Sequence, residues 1–290
     1  MDQINIVFCV SANYMKFASV TAVSILKNTT SRIKFLILHE DDDVNARVRL
    51  RDFIISFPHA EVEFINCSDQ IDPFLSLNNG WHKNRAHFLK WSIGENLPNI
   101  DKAIYMDVDV IVRLDIARLW NVSLDGMALA AGGGENSKTG EGQLVKCFNS
   151  GVLVMDCKKW RDEHIMQQLI KISTENTDKI KYADQQPLQW VFKDKFVLLG
   201  LEFNSEPAIA TLIGVEEKWN DADRGIIHYC NMDGKKPWID PSIFKAEVWW
   251  QYCRMTPFYE NFLNQMTLRR LVAVMMSIFK LPHGFFLDVE

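Results

Sequence analysis

Short apolar runs alternate with amphipathic stretches through the first 200 residues of this 290-residue chain, and no other feature restricts the fold as much. Residues 4–10 (INIVFCV), 33–39 (IKFLILH), 61–66 (EVEFIN), 103–107 (AIYMD), 127–131 and 151–155 (GVLVM) read as strands. Residues 15–28, 43–57, 86–96, 158–175 and 184–192 read as helices. Near-continuous apolar strands separated by helices predict an α/β fold, with a mostly parallel central sheet covered on both faces. Ligands of such sheets bind beyond the carboxyl ends of the strands, so polar residues there are the first candidates for chemistry.

Charge and composition exclude several classes. Lysine and arginine number 32 against 37 acidic residues, a net charge of −5, so no basic footprint for nucleic acid is expected. With 48% apolar and 24% charged residues the chain has the material for a full core rather than a disordered one. No signal-peptide pattern and no apolar run of the ~18 residues needed for a membrane span are visible. Six cysteines without a CxxC pair read as buried free thiols of a reducing compartment, and a cytoplasmic location is expected. The polar stretch 132–146, opening with Gly132-Gly133-Gly134, is expected to be a mobile loop.

The tail changes character. Residues 255–290 carry Phe258, Tyr259, Phe262, Phe285 and Phe286, and Arg269-Arg270 precede an apolar stretch from Leu271 to Leu281. The expected division is a catalytic domain over 1–254 and a helical, apolar segment over 255–290. That segment either packs on the domain or, through 262–281, lies on an anionic membrane surface.

Asp-x-Asp occurs three times. Asp41/Asp43 lies in an acidic run, the mark of a solvated turn, and Asp221/Asp223 lies among polar residues. Asp107/Asp109 is different, because YMDVDVIV (105–112) sets two carboxylates among strand-forming residues. Desolvating two carboxylates costs several kcal/mol unless something neutralises them. Residues two apart on a strand point the same way, so both could reach one divalent cation; hard oxygen ligands suit Mg2+ or Mn2+.

Several segments, in order along the chain, carry a resemblance. They are IVFCVSANY (6–14), WHKNRAHFLKWSIGE (81–95), YMDVDVIV, FNSGVLVMDCKKW (148–160), YADQQ (182–186) and IIHYCNMDGKKPW (226–238). Together they resemble the retaining glycosyltransferases of family 8, in the form found in bacterial lipopolysaccharide galactosyl- and glucosyltransferases, over about residues 4–240. The resemblance implies a single Rossmann-like nucleotide-diphospho-sugar transferase domain of GT-A type with a helical C-terminal appendage. It implies Mn2+ (or Mg2+) held by Asp107, Asp109 and His228. It places Cys9, Ser11, Asn13, Tyr14, Lys90, Asp107, Val108, Asn149 and Lys236 around a UDP-sugar, with Tyr14 stacking on uracil and Asn13 bonding the uridine. Asp184 and Gln185 would face the transferred sugar as the catalytic pair, and His82 would lie on the acceptor side.

Two positions depart from the family pattern. Ser11 stands where an aspartate is common, and Lys90 stands where relatives often have arginine, with Arg85 nearby to share its task. Lys235 competes with Lys236 for the diphosphate, and Gly234 supplies the turn that lets backbone amides approach a phosphate. The implied activity is metal-dependent, retaining transfer of glucose or galactose from UDP-hexose to a glycan or glycolipid acceptor in surface-polysaccharide synthesis, at the inner face of the cytoplasmic membrane. A self-glycosylating, glycogenin-like primer, a decayed UDP-sugar-binding protein and a sugar nucleotidyltransferase remain as alternatives. Neither the hexose nor the oligomeric state is written in the sequence.

Overall fold

The computed structural model describes residues 3–40, 43–68, 86–132, 137–138, 144–145, 147–206, 225–230 and 234–279. Its centre is a seven-stranded sheet. The strands are β1 (Ile4–Cys9), β2 (Ile33–His39), β3 (Ala60–Asn66), β4 (Lys102–Met106), β6 (Leu129–Ala131), β9 (Val152–Asp156) and β10 (Val197–Leu198). Their order is β10-β6-β9-β4-β1-β2-β3. Pairing is parallel throughout except at β9, which runs antiparallel to both β4 and β6. A second sheet pairs β5 (Val110–Val112) antiparallel with β11 (Ile226–His228). Within 132–146, Ser137–Lys138 (β7) pairs antiparallel with Leu144–Val145 (β8), and the rest of that expected loop from 133 on lies outside the described residues.

The apolar runs are near-continuous because both faces of the sheet are buried. Ile6 and Phe8 of β1 enter one core together with Phe35 and Ile37, while Val7, Leu36 and Leu38 enter the opposite core with Trp91 and Trp160. Helix α1 (Met15–Lys27) covers the first face and is buried from Phe17 to Leu26. Its polar residues are spent on the second sheet. The Thr21 hydroxyl lies 3.1 Å from the Val108 carbonyl and 2.8 Å from that of Val110. The Ser24 hydroxyl accepts from the Val112 amide at 2.9 Å, and Asn28 donates to the Val112 carbonyl at 3.0 Å. The helix thus holds the turn at residues 107–109 as well as the strand after it. Thr21→Val keeps the shape but leaves buried carbonyls without a donor, which costs about 1–3 kcal/mol. Thermal denaturation is expected to show the loss, and an unchanged midpoint would mean the hydroxyl is idle.

Three sequence expectations are corrected. The 86–96 helix is broken into α3 (Ala86–Leu89), a 3-10 turn (Lys90–Ser92) and α4 (Ile93–Asn96). The tightened turn buries Lys90, Trp91 and Ser92. The 158–175 helix is two helices, α6 (Cys157–Asp162) and α7 (Ile165–Glu175), separated where His164 takes the left-handed conformation at φ 53°. Not all six cysteines are fully buried residues: all are free, but Cys9, Cys147 and Cys230 are half-buried. Asp43, read as part of a solvated turn, N-caps α2 (Val44–Ile55) by accepting from the Ala46 amide at 3.0 Å.

After β11 the chain forms α9 (Ala246–Cys253), α10 (Tyr259–Leu263) and α11 (Leu268–Phe279). Phe258, Phe262 and Val274 join the same core as α1, and the Arg49 guanidinium stacks 4.6 Å from the Phe258 ring. Leu268 and Met275 remain exposed, at 78% and 56%. No helix among the described residues is long and apolar enough to cross a membrane.

Candidate active site

Residues 107–109 are not in a strand. β4 stops at Met106, the chain turns, and β5 starts at Val110 in the other sheet. The two carboxylates converge because of this turn, not because of strand periodicity. The Asp107 amide donates to the Gly151 carbonyl at 2.8 Å, which ties the start of the turn to the residue just before β9. The Asp109 carbonyl accepts from the Tyr229 amide at 3.0 Å, which ties its end to β11.

His228, the last residue of β11, faces both acids. Its Nε2 lies 3.2 Å from Asp109 Oδ1 and 3.7 Å from Asp107 Oδ2. One ligand atom from each of the three residues falls within 4.8 Å of the others. Two carboxylate oxygens and one imidazole nitrogen at that spacing fit a hard or borderline divalent cation. Lys236 approaches from the other side, with Nζ 2.6 Å from Asp109 Oδ2 and 2.6 Å from the Tyr229 carbonyl. Burial alone would raise the Asp109 carboxyl, but the Lys236 and His228 charges hold it well below the usual carboxylate range. Gly234, at φ 72°, supplies the left-handed turn that returns the chain to Lys236.

Beside this cluster lies a buried ion pair. Lys90 Nζ sits 2.7 Å from Asp184 Oδ2 and 3.5 Å from Asp107 Oδ1, and its side chain is 1% exposed. Asp184 heads α8 (Gln185–Val191) but its side chain does not cap that helix. It accepts instead from the Ser150 hydroxyl at 3.0 Å. Burial pushes the Asp184 carboxyl up; Lys90 and His87 outweigh that and leave it below its ordinary value. Burial disfavours the Lys90 ammonium, yet Asp107 and Asp184 hold its pKa above the usual lysine value. Gln185 Oε1 accepts from the Ser150 amide at 3.2 Å, and Asn149 Oδ1 from the Gly151 amide at 2.8 Å. The segment 149–151 is therefore the strip on which Asp107, Asp184, Gln185 and His228 meet.

The remaining candidates are spread around it. Cys9 ends β1, and burial pushes its thiol well up. Ser11 is half-buried, whereas Asn13 and Tyr14 are exposed on the 3-10 turn after β1, with the Tyr14 ring 5.2 Å from that of Phe17. Val108 is packed against the α1 core. His82, Arg85 and Asp221/Asp223 lie outside the described residues.

The glycosyl transferase family 8 profile matches residues 5–241, most of the chain. This chain belongs to glycosyltransferase family 8. A putative glycosyltransferase of Haemophilus influenzae is 28% identical over 224 residues, covering 72% of this chain and 65% of that protein. Glycosyltransferase GlyA of Streptococcus pneumoniae is 29% identical over 251 residues, covering 85% of this chain but 34% of that protein. The chain thus spans less than two thirds of these relatives. Among solved structures, galactosyltransferase LgtC in complex with donor and acceptor sugar analogs superposes with a TM-score of 0.76. At 22% identity, covering 93% of this chain and all of that one, the likeness shows a shared GT-A-like fold.

Several residues of this family 8 site escaped the sequence reading. Tyr105 donates its hydroxyl to Asp107 Oδ1, and its ring lies 4.6 Å beneath the Lys90 ammonium. Its place two residues before Asp107 was a signal that could have been used. Glu206 is pushed up by burial near His228, and no spacing pattern marks it. Gly151 was read as the first residue of a strand within FNSGVLVMDCKKW, with no role against the histidine. A Cβ there would sit 2.8 Å from both Nδ1 and Nε2 of His228, and closer still to Cε1. Gly151→Ala is expected to displace the imidazole. Manganese titration should show weaker binding while the melting temperature falls only modestly; unaltered affinity would contradict the close packing.

Proposed function

We propose that this family 8 protein transfers a hexose from a UDP-hexose to a hydroxyl of a glycan or glycolipid acceptor, retaining the α configuration. The observation that carries the reading is the convergence of Asp107, Asp109 and His228 opposite Lys236, with the buried Lys90–Asp184 pair alongside. Bound by the first three residues, Mn2+ or Mg2+ would act as a Lewis acid on the diphosphate and stabilise the charge of departing UDP. Lys236, which pairs with Asp109, would turn its ammonium to the diphosphate oxygens. Tyr14 and Asn13, both exposed, are free to engage the uracil and ribose, with Ser11, Cys9 and Val108 lining that side. Asp184 and Asn149 would bond sugar hydroxyls, and the Lys90 charge keeps Asp184 ionised and fixed. Gln185 would lie near the anomeric carbon.

Attack of the acceptor hydroxyl from the face that UDP leaves, with the departing phosphate oxygen taking the hydroxyl's proton, accounts for retention without a protein nucleophile. Asp184 is a poor nucleophile because Lys90 and Ser150 both engage its Oδ2 and draw on the carboxylate's charge. Catalysis then rests on charge stabilisation and positioning. NMR of the product anomer tests this: an α-linked product is expected from a UDP-α-hexose, and a β-linked product would refute retention.

The acceptor reading includes a membrane. Arg269 and Arg270 head α11, whose Leu268 and Met275 are exposed. Because Phe258, Phe262 and Val274 belong to the core, truncation at 255 would damage the fold, so charge reversal is the cleaner probe. At about 1 kcal/mol per basic residue, Arg269→Glu with Arg270→Glu should weaken binding to anionic vesicles about tenfold or more. Equal sedimentation of both proteins with vesicles would remove the membrane contact.

A further inference from the structure

The hydrogen-bond network behind His228 fixes which of its nitrogens is free. Gly151 N–H can only donate, so the atom of Asn149 it meets at 2.8 Å is the amide oxygen. That oxygen also faces the Asn204 side chain at 3.2 Å, and the Gly132 carbonyl faces the same Asn204 atom at 3.2 Å. Two acceptors require a donor between them, which makes this atom Nδ2 of Asn204. The other end of the Asn204 amide is then the oxygen, and it lies 3.0 Å from His228 Nδ1. An oxygen there requires Nδ1 to carry the proton. Nε2 is then the nitrogen presented to Asp107 and Asp109: it donates to Asp109 Oδ1 when the ring is protonated and faces both acids with its lone pair when the ring is neutral.

From this chain of donors we infer that Asn204 is a positioning residue, which sets the tautomer and orientation of His228 so that Nε2 can ligate the divalent cation. Both ends of the Asn204 amide are engaged by protein groups, so it supports the site without serving as a ligand itself. It is 1% exposed, and each of its three polar contacts goes to the strip at 149–151, to the end of β6 or to His228. Histidine ligands depend on such outer partners: losing one weakens metal binding about 10–100-fold. Asn204 also joins the metal side of the site to its sugar side, because Asn149, the proposed sugar-hydroxyl contact, is held by the same amide. The inference rests on the metal reading of the site proposed above.

Three measurements test it. In the metal-free wild type labelled with 15N-histidine, two-bond 1H–15N correlation at alkaline pH should show His228 with protonated Nδ1 and unprotonated Nε2. The opposite tautomer would overturn the proposal whatever any variant does. Asn204→Leu, which fills the space without accepting a proton, should raise the Mn2+ dissociation constant about 10–100-fold by electron paramagnetic resonance. It should also mix the two tautomers in the metal-free protein. Asn204→Asp, which restores an acceptor for Nδ1, should recover most of the affinity and the wild-type tautomer. Equal weakening by both variants would mean that Asn204 only fills space. Wild type that binds no Mn2+ yet shows the assigned tautomer would refute the metal reading while leaving the network intact.

Discussion

Asp109→Asn is expected to abolish metal-dependent UDP release while leaving a folded protein. Asp109 is the residue on which the cluster turns, since one oxygen faces His228 at 3.2 Å and the other faces Lys236 at 2.6 Å. The amide keeps the shape and removes the charge. A Lewis-acid contribution of several kcal/mol, at tenfold per ~1.4 kcal/mol, corresponds to a loss of about a hundred- to a thousandfold in kcat/KM. Stability is a separate matter with a definite sign. The native Asp109 pKa is depressed, so its ionic contribution is present above the unfolded value of about 4 and disappears as pH falls through the native value. The substitution therefore lowers the melting temperature at neutral pH and has less effect near pH 3. Raising the Mn2+ concentration should restore little activity; near-wild-type activity in Asp109→Asn would exclude the carboxylate as a ligand.

Lys90→Leu carries the other large effect, and this time on the fold. It leaves Asp184, with its side chain 8% exposed, without its ammonium. Removing one partner of a buried pair costs about 3–5 kcal/mol. The wild-type Asp184 pKa is lowered, so its stabilising share is lost as pH falls below about 4. In Lys90→Leu only Ser150 and His87 remain to offset desolvation of the carboxyl, its native pKa rises, and stability falls as pH increases through that range. Denaturant titrations should show the gap between the two proteins widening from pH 4 to pH 7. Adding Asp184→Leu should recover most of the stability but none of the transferase activity. Should the single variant match wild type at neutral pH, the pair would be contributing nothing to the fold.

The central strands β1, β2, β4 and β9 and helix α1 were legible because both faces of the sheet are buried there, whereas β3 alternates at the edge and β5, β10 and β11 are too short to write a run of their own. The same argument could not place Asp107 and Asp109 on the turn, since a strand and a tight turn between two sheets share the local pattern YMDVDVIV. Helix breaks at Lys90 and His164 were hidden for a related reason: a 3-10 turn and a left-handed residue leave the helical period almost intact. The buried state of Lys90 was invisible because its partner Asp184 is 94 residues away, a contact that only the packed fold creates. Asn204 carries no signal at all in the sequence, and its place in the network follows entirely from where β6, β11 and the 149–151 strip meet.

The central claim is that Asp107, Asp109 and His228 form the metal centre of a UDP-hexose transferase. UDP release from a panel of UDP-sugars, with Mn2+ and then with EDTA and without acceptor, tests it most directly. Slow release from one UDP-hexose that EDTA stops is the predicted result. Release that persists in EDTA, or pyrophosphate in place of UDP, would contradict it.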